Sequence, residues 1–152
     1  MNIDLDLEDI IGPEVEAPKL EVVQERVEPV NLPIHREWAR FKDRFATAME
    51  DGLYTIEALE KKIGQGKAIF LPGRDAAIVA EKVTYDGGRS VLQTLWAVGD
   101  LQEVIALSPG LEAMGRIMGC SQMLVEGRKG WEKVLAPHGY KPWSVTLTKD
   151  LT

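Results

Sequence analysis

The stretch KAIFLPGRDAAIVAEKVTYDGGRSVLQTLWAVGD, residues 67–100, decides the fold. Its apolar residues change from a helical period to a period of two. KAIFL (67–71) is closed by Pro72-Gly73, AAIVAEKVTY (76–85) runs into Asp86-Gly87-Gly88, and RSVLQTLWAV (89–98) follows. Alternation broken by glycine-rich turns predicts an antiparallel three-strand meander, with Asp86–Gly88 as a hairpin turn.

Upstream of the meander the period is helical. Ile34, Trp38, Phe41, Phe45, Ala48 and Met49 recur on one face after Pro33, and Asp51-Gly52 reads as a stop. A second helix starts at Thr55 as N-cap, places Ile56, Leu59 and Ile63 on one side, gains a Glu57–Lys61 pair, and ends at Gly64. Downstream, Gly99-Asp100 ends the last meander strand. Leu101, Val104, Ile105, Leu111, Met114 and Ile117 continue as helix up to Gly119, with Ser108-Pro109 predicting a break or restart. QMLVE (122–126) reads as a short buried strand, RKGWEKVLAP (128–137) as a short helix closed by Gly139, and WSVTLTKDL (143–151) as an alternating strand that closes the sheet.

The chain has 152 residues, with 18 Lys+Arg against 24 Asp+Glu. The imbalance is local. Residues 1–33 hold nine acids, two bases and four of the eight prolines, a charge of −7, whereas residues 34–152 balance to +1. The expected organisation is therefore an extended acidic, proline-punctuated arm over 1–33 and an α+β domain over 34–152. The arm carries Ile3, Leu5, Leu7, Ile10, Ile11, Leu20, Val22 and Val23 between its acids. Such a segment cannot bury a core of its own, so it reads either as a solvating tail or as a strap docking these aliphatic residues on another protein. A strand around Val27–Leu32 is a further candidate for the sheet.

Several function classes fall away on composition. A net charge of −6 and a pI near 5.0 lack the basic stripe of a general nucleic-acid binder. No apolar run approaches a membrane span, and an acidic start differs from a signal peptide, so the expectation is a soluble protein made in a cytoplasm. Cys120 is the single cysteine, and with His35 and His138 it forms no metal-ligand spacing, so no metal is expected. There is no P-loop lysine motif, dinucleotide glycine fingerprint or nucleophile elbow.

The element order, and above all GCSQMLVEGRKGWEKVLAPHGYKPWSVTLTKDL (119–151), resembles the GNAT fold of acyl-CoA N-acetyltransferases. Within it, the strand, Gly-Arg-x-Gly-Trp turn, short helix and Gly-Tyr resemble the branch carried by tailed phages, nearest to the internal virion protein of short-tailed phages. The resemblance covers about residues 34–152. It implies a mixed, mainly antiparallel sheet flanked by helices, and acetyl-CoA as the cofactor if the chemistry is kept, its pyrophosphate lying on backbone N–H groups at a helix N-terminus. The corresponding loop falls on Val98, Gly99, Asp100 and Leu101, followed by Gln102 and Glu103, where the family carries more glycine. Asp100 reads locally as a helix N-cap. Glu103 is a candidate general base and Tyr140 a candidate general acid. The family's Asn, Ala and Tyr signature falls on Arg128, Trp131 and Leu135, and none matches.

Arg128, Lys129 and Lys133 around Trp131 read as a solvated face, a docking surface or a phosphate site. The resemblance and the missing catalytic types together imply a virion-associated phage structural protein with a catalytically degenerate GNAT-like domain. It would be present in multiple copies and attached through its arm to a capsid, connector or tail component, with other virion proteins as partners and no cofactor, nucleic acid or membrane. The alternatives are an active acetyl-CoA-dependent N-acetyltransferase and a small regulatory protein that binds a host factor.

Overall fold

A computed structural model of the chain describes residues 36–49 and 52–152. The arm over 1–33, its aliphatic positions, the strand expected around Val27–Leu32, and His35 lie outside the described residues.

Helix α1 spans Trp38–Ala48, and the spacing of Trp38, Phe41 and Phe45 puts all three on its buried face. Trp38 stacks on Phe45 at 5.3 Å between ring centroids, and Phe70 meets both rings edge-on at 5.1 and 6.3 Å. Helix α2 spans Ile56–Gly64 and is capped as its sequence requires: the Thr55 hydroxyl accepts a hydrogen bond from the Ala58 N–H at 3.3 Å. The ion pairs that anchor these two helices are long-range. Lys42 meets Glu60 at 3.0 Å and Lys62 meets Glu81 at 2.8 Å, whereas the expected Glu57–Lys61 contact does not form between these two exposed residues, where such a pair is worth little.

Among the described residues the sheet has four strands, β1 (Ile69–Pro72), β2 (Ala76–Thr84), β3 (Ser90–Gly99) and β4 (Gln122–Val125), in that spatial order. The β1–β2 and β2–β3 pairs are antiparallel and the β3–β4 pair is parallel, so the crossover helix α3 (Leu101–Ile117) lies between β3 and β4 in the chain. Two apolar layers follow from the pleat. Ala77, Val79, Leu95, Trp96 and Val98 face α1 and α2, while Ala76, Ile78, Ala80 and Leu92 face α3 through Val104 and Leu111. The short helix α4 (Gly130–Leu135) runs into a 3₁₀ turn, Ala136–His138, which Gly139 ends with φ +87°.

Two elements differ from the sequence-based expectation. Helix α3 continues through Pro109 without a break, since it is held on the sheet by residues on both sides of the proline, Val104 and Leu111. The stretch 143–151 forms no strand. It is exposed throughout and makes no backbone hydrogen bond among the described residues; alternation within one segment does not specify which strand it pairs with. Among the described residues the sheet therefore ends at β4.

Candidate functional site

Strand β3 keeps β2 on one side along its whole length and pairs with β4 on the other side only over its first half. Val91–Thr94 pair with Gln122–Val125 of β4, but from Leu95 to Gly99 no described strand lies on that side. The end of β4 at Val125, opposite Thr94, coincides with a bulge in the β2–β3 ladder. Val79 of β2 pairs with Trp96 and Ala80 with Thr94, so Leu95 is the extra residue, and Leu95 and Trp96 both turn toward α1 and α2. Beyond the bulge, β3 stays paired with β2, has no described strand on its other side, and leads directly to the start of α3.

That helix start is built from backbone conformation and two carboxylates. Gly99 has φ +96°, and a Cβ there would lie 2.0 Å from the Asp75 carbonyl oxygen, so only glycine permits the approach of β3 to the β1–β2 turn. The Asp100 N–H donates to that same carbonyl at 3.1 Å, while its side chain caps α3 by accepting from the Glu103 N–H at 3.0 Å. Asp100 is thus the N-cap its sequence position indicated. The Glu103 carboxylate accepts from the Asp75 N–H at 3.0 and 2.9 Å and from the Arg74 N–H. Val98 is partly buried against the α1 and α2 side, and Leu101 is exposed at the surface of the first turn.

The remaining candidates lie elsewhere. Tyr140 is half-buried, and burial first, then the Glu112 carboxylate, raises its hydroxyl pKa above the ordinary tyrosine value, so it holds its proton. Glu112 is nine residues further along α3 than Glu103, about 14 Å of helix at the usual rise. Arg128 and Lys129 are exposed at the start of α4. The Trp131 ring lies across Gly127, where an added Cβ would come within 2.8 Å of it, and the Trp131 N–H donates to the Arg128 carbonyl at 3.0 Å. Among the described residues no group of His, Cys, Asp or Glu is placed to hold a metal ion, and no helix is long and apolar enough to cross a membrane.

Sequence reasoning placed the helix start correctly but missed the bulge and the partners of Glu103. The repetition of two large residues, Leu95-Trp96, inside an alternating strand is the one local sign of the bulge. Nothing near Glu103 in the chain points to Arg74 and Asp75.

An acyl-CoA would use two parts of this surface, and they differ in fit. The side of β3 turned away from β2 beyond the bulge, where no described strand pairs, suits an extended chain carrying amides. The pyrophosphate end does not fit, because Asp100 and Glu103 place two carboxylates at the helix terminus where a dianion would lie.

No family model matches the chain, and no curated protein does. Solved structures do match. An acetyltransferase of Trypanosoma brucei aligns at 14% identity with a TM-score of 0.57, covering 76% of this chain and 93% of the other. A probable acetyltransferase aligns at 12% identity with a TM-score of 0.56, over 78% and 97% of the two chains. A ribosomal-protein-alanine N-acetyltransferase from Brucella melitensis biovar Abortus aligns at 12% identity with a TM-score of 0.52, over 73% and 94%. The fold is GNAT-like, and at these identities the likeness extends to fold alone.

Proposed function

We propose that this chain is a GNAT-like module without acyl-CoA turnover that serves as a virion-associated structural protein of a tailed phage, made in the host cytoplasm and carried in the particle. The observation that carries the loss of catalysis is the Glu103 carboxylate, tied to the Arg74 and Asp75 N–H groups beside the Asp100 cap. A carboxylate so engaged is not a free base, and it turns the anion-attracting end of α3 into a closed helix cap. The phage assignment is supported by the likeness of residues 119–151 to phage proteins and by the segregation of −7 of charge into the first 33 residues. In this reading the partners are other virion proteins. The arm docks through Ile3, Leu5, Leu7, Ile10, Ile11, Leu20, Val22 and Val23, and Arg128, Lys129 and Trp131 offer a second contact surface.

A second reading, an active N-acetyltransferase, is favoured by one specific observation, the end of the β3–β4 pairing beside the Leu95 bulge. Calorimetric titration of the full chain with acetyl-CoA and with CoA separates the two. The structural reading expects no binding at millimolar cofactor, and binding at micromolar strength would overturn it.

A further inference from the structure

Ser108, Pro109 and Gly110 stand together at the middle of α3, and each weakens a helix in its own way. Pro109 has no N–H to give the Ile105 carbonyl four residues back, and Gly110 leaves the backbone the most freedom to lose on ordering. The Ser108 hydroxyl donates to the Val104 carbonyl at 3.3 Å, competing with that carbonyl's place in the helix ladder. Over this one turn the ladder is weak, and packing against the sheet carries the helix across it.

The two halves on either side are held differently. The first half is fixed at its start, where Asp100 caps it and the Glu103 carboxylate accepts from the Arg74 and Asp75 N–H groups. The second half, residues 110–117, rests on the sheet through Leu111 and through Gly115, where an added Cβ would lie 3.5 Å from Leu92 and from Met123. It leads into β4, which pairs with β3 over four residues in the less stable parallel arrangement and has no described strand on its other side. The β2–β3 ladder, by contrast, is antiparallel and runs over nine pairs. Two contacts latch the far end of α3 to the sheet: the Lys82 ammonium donates to the Met118 carbonyl at 2.7 Å, and the Ser121 N–H donates to the Ser90 carbonyl at 2.9 Å.

We infer that Ser108-Pro109-Gly110 is a hinge, and that residues 110–125 lift from the sheet as one unit while the first half of α3 and the β1–β2–β3 meander stay folded. The open form is the minor one, because lifting exposes Leu111 and breaks the Lys82 latch. Opening takes β4 away from β3, so the side of β3 that no described strand covers over 95–99 becomes bare from Val91 onward. The fold thus holds a longer strand edge in reserve, released at a hinge rather than by unfolding. The inference depends neither on acyl-CoA binding nor on the phage assignment.

Hydrogen exchange of the full 152-residue chain, read by mass spectrometry and corrected for intrinsic rates, tests it. The 112–118 amides should exchange at least about tenfold faster than those of 77–80 and 104–107, with little dependence on low urea, since little surface is exposed on opening. Pro109→Ala should slow the 112–118 amides about tenfold, an effect that simple fraying of the helix end would not show. Phe45→Leu, in the opposite layer, should speed exchange at 77–80 and leave 112–118 unchanged, because Phe45 stays packed in the open form. Equal rates and equal urea dependence at 77–80 and 112–118 would overturn the inference. So would 112–118 rates that ignore Pro109→Ala or that rise with Phe45→Leu.

Discussion

Glu103 shows how one side chain can set both stability and chemistry. Its carboxylate satisfies backbone donors of the β1–β2 turn, 28 and 29 residues away, while lying in the first turn of α3. Hydrogen bonds to a charged group contribute roughly 1.5–3 kcal/mol each, at the low end here because Arg74 and Asp75 are exposed and their amides can turn to water when the acceptor is lost. Glu103→Ala should therefore lower stability by about 2 kcal/mol in urea denaturation, with Glu103→Gln intermediate; no change would show that the clamp is not formed in solution. Gly99→Ala should be more severe, at least about 2–3 kcal/mol, because it combines a positive φ with a Cβ 2.0 Å from the Asp75 carbonyl oxygen. Tyr140 gives a pH-dependent counterpart. Its folded pKa is raised by burial and by Glu112, so its contribution is complete below the unfolded value near about 10 and is lost as pH rises through the folded one. The stability advantage of the parent over Tyr140→Phe should shrink when urea midpoints are compared below and above about pH 10. Of these features, the Asp100 cap was legible in the sequence because its partner is three residues away. The Glu103 clamp was not, since nothing local records a contact across 28 residues.

Elements follow the same division between local and remote causes. The Thr55 cap, the Gly88-containing hairpin with φ +87° and the Gly119 stop with φ +77° are determined within a few residues, and each lies where its sequence placed it. The Leu95 bulge and the fate of 143–151 depend on which strand stands opposite, and the pattern of one strand does not specify that. Pro109 is the case in which packing overrides a strong local signal. A proline inside a helix is unfavourable by about 3 kcal/mol, whereas the proline's stiffening of the unfolded chain returns only about 1 kcal/mol. With Pro109 exposed and the helix unbroken, Pro109→Ala should raise stability by about 1–2 kcal/mol, and a fall would mean that the ring itself makes an essential contact. On the opposite layer, Phe45 has no exposed surface and packs with Trp38 and Phe70, so Phe45→Ala should cost about 3–5 kcal/mol in the same denaturation experiment.

For the whole molecule the decisive quantity is the distribution of charge. With residues 1–33 the chain carries −6, and without them +1, so nearly all long-range attraction toward a basic partner surface belongs to the arm. The arm's aliphatic residues, set between acids, would give such an encounter its short-range hold, and screening separates the two contributions. Exposed charges stop acting on each other beyond about 10 Å at 0.1 M salt and about 3 Å at 1 M, while apolar contacts persist or strengthen. The structural reading therefore expects that deleting residues 1–33 abolishes incorporation into particles while the remaining 119 residues still unfold cooperatively on heating. It also expects that added salt slows attachment of the full chain far more than it releases chain already attached, since charge governs encounter and burial governs release. Particle sedimentation followed by immunodetection reads both. A truncated chain that still enters particles would move the docking role from the arm to the Arg128, Lys129 and Trp131 surface of the folded domain.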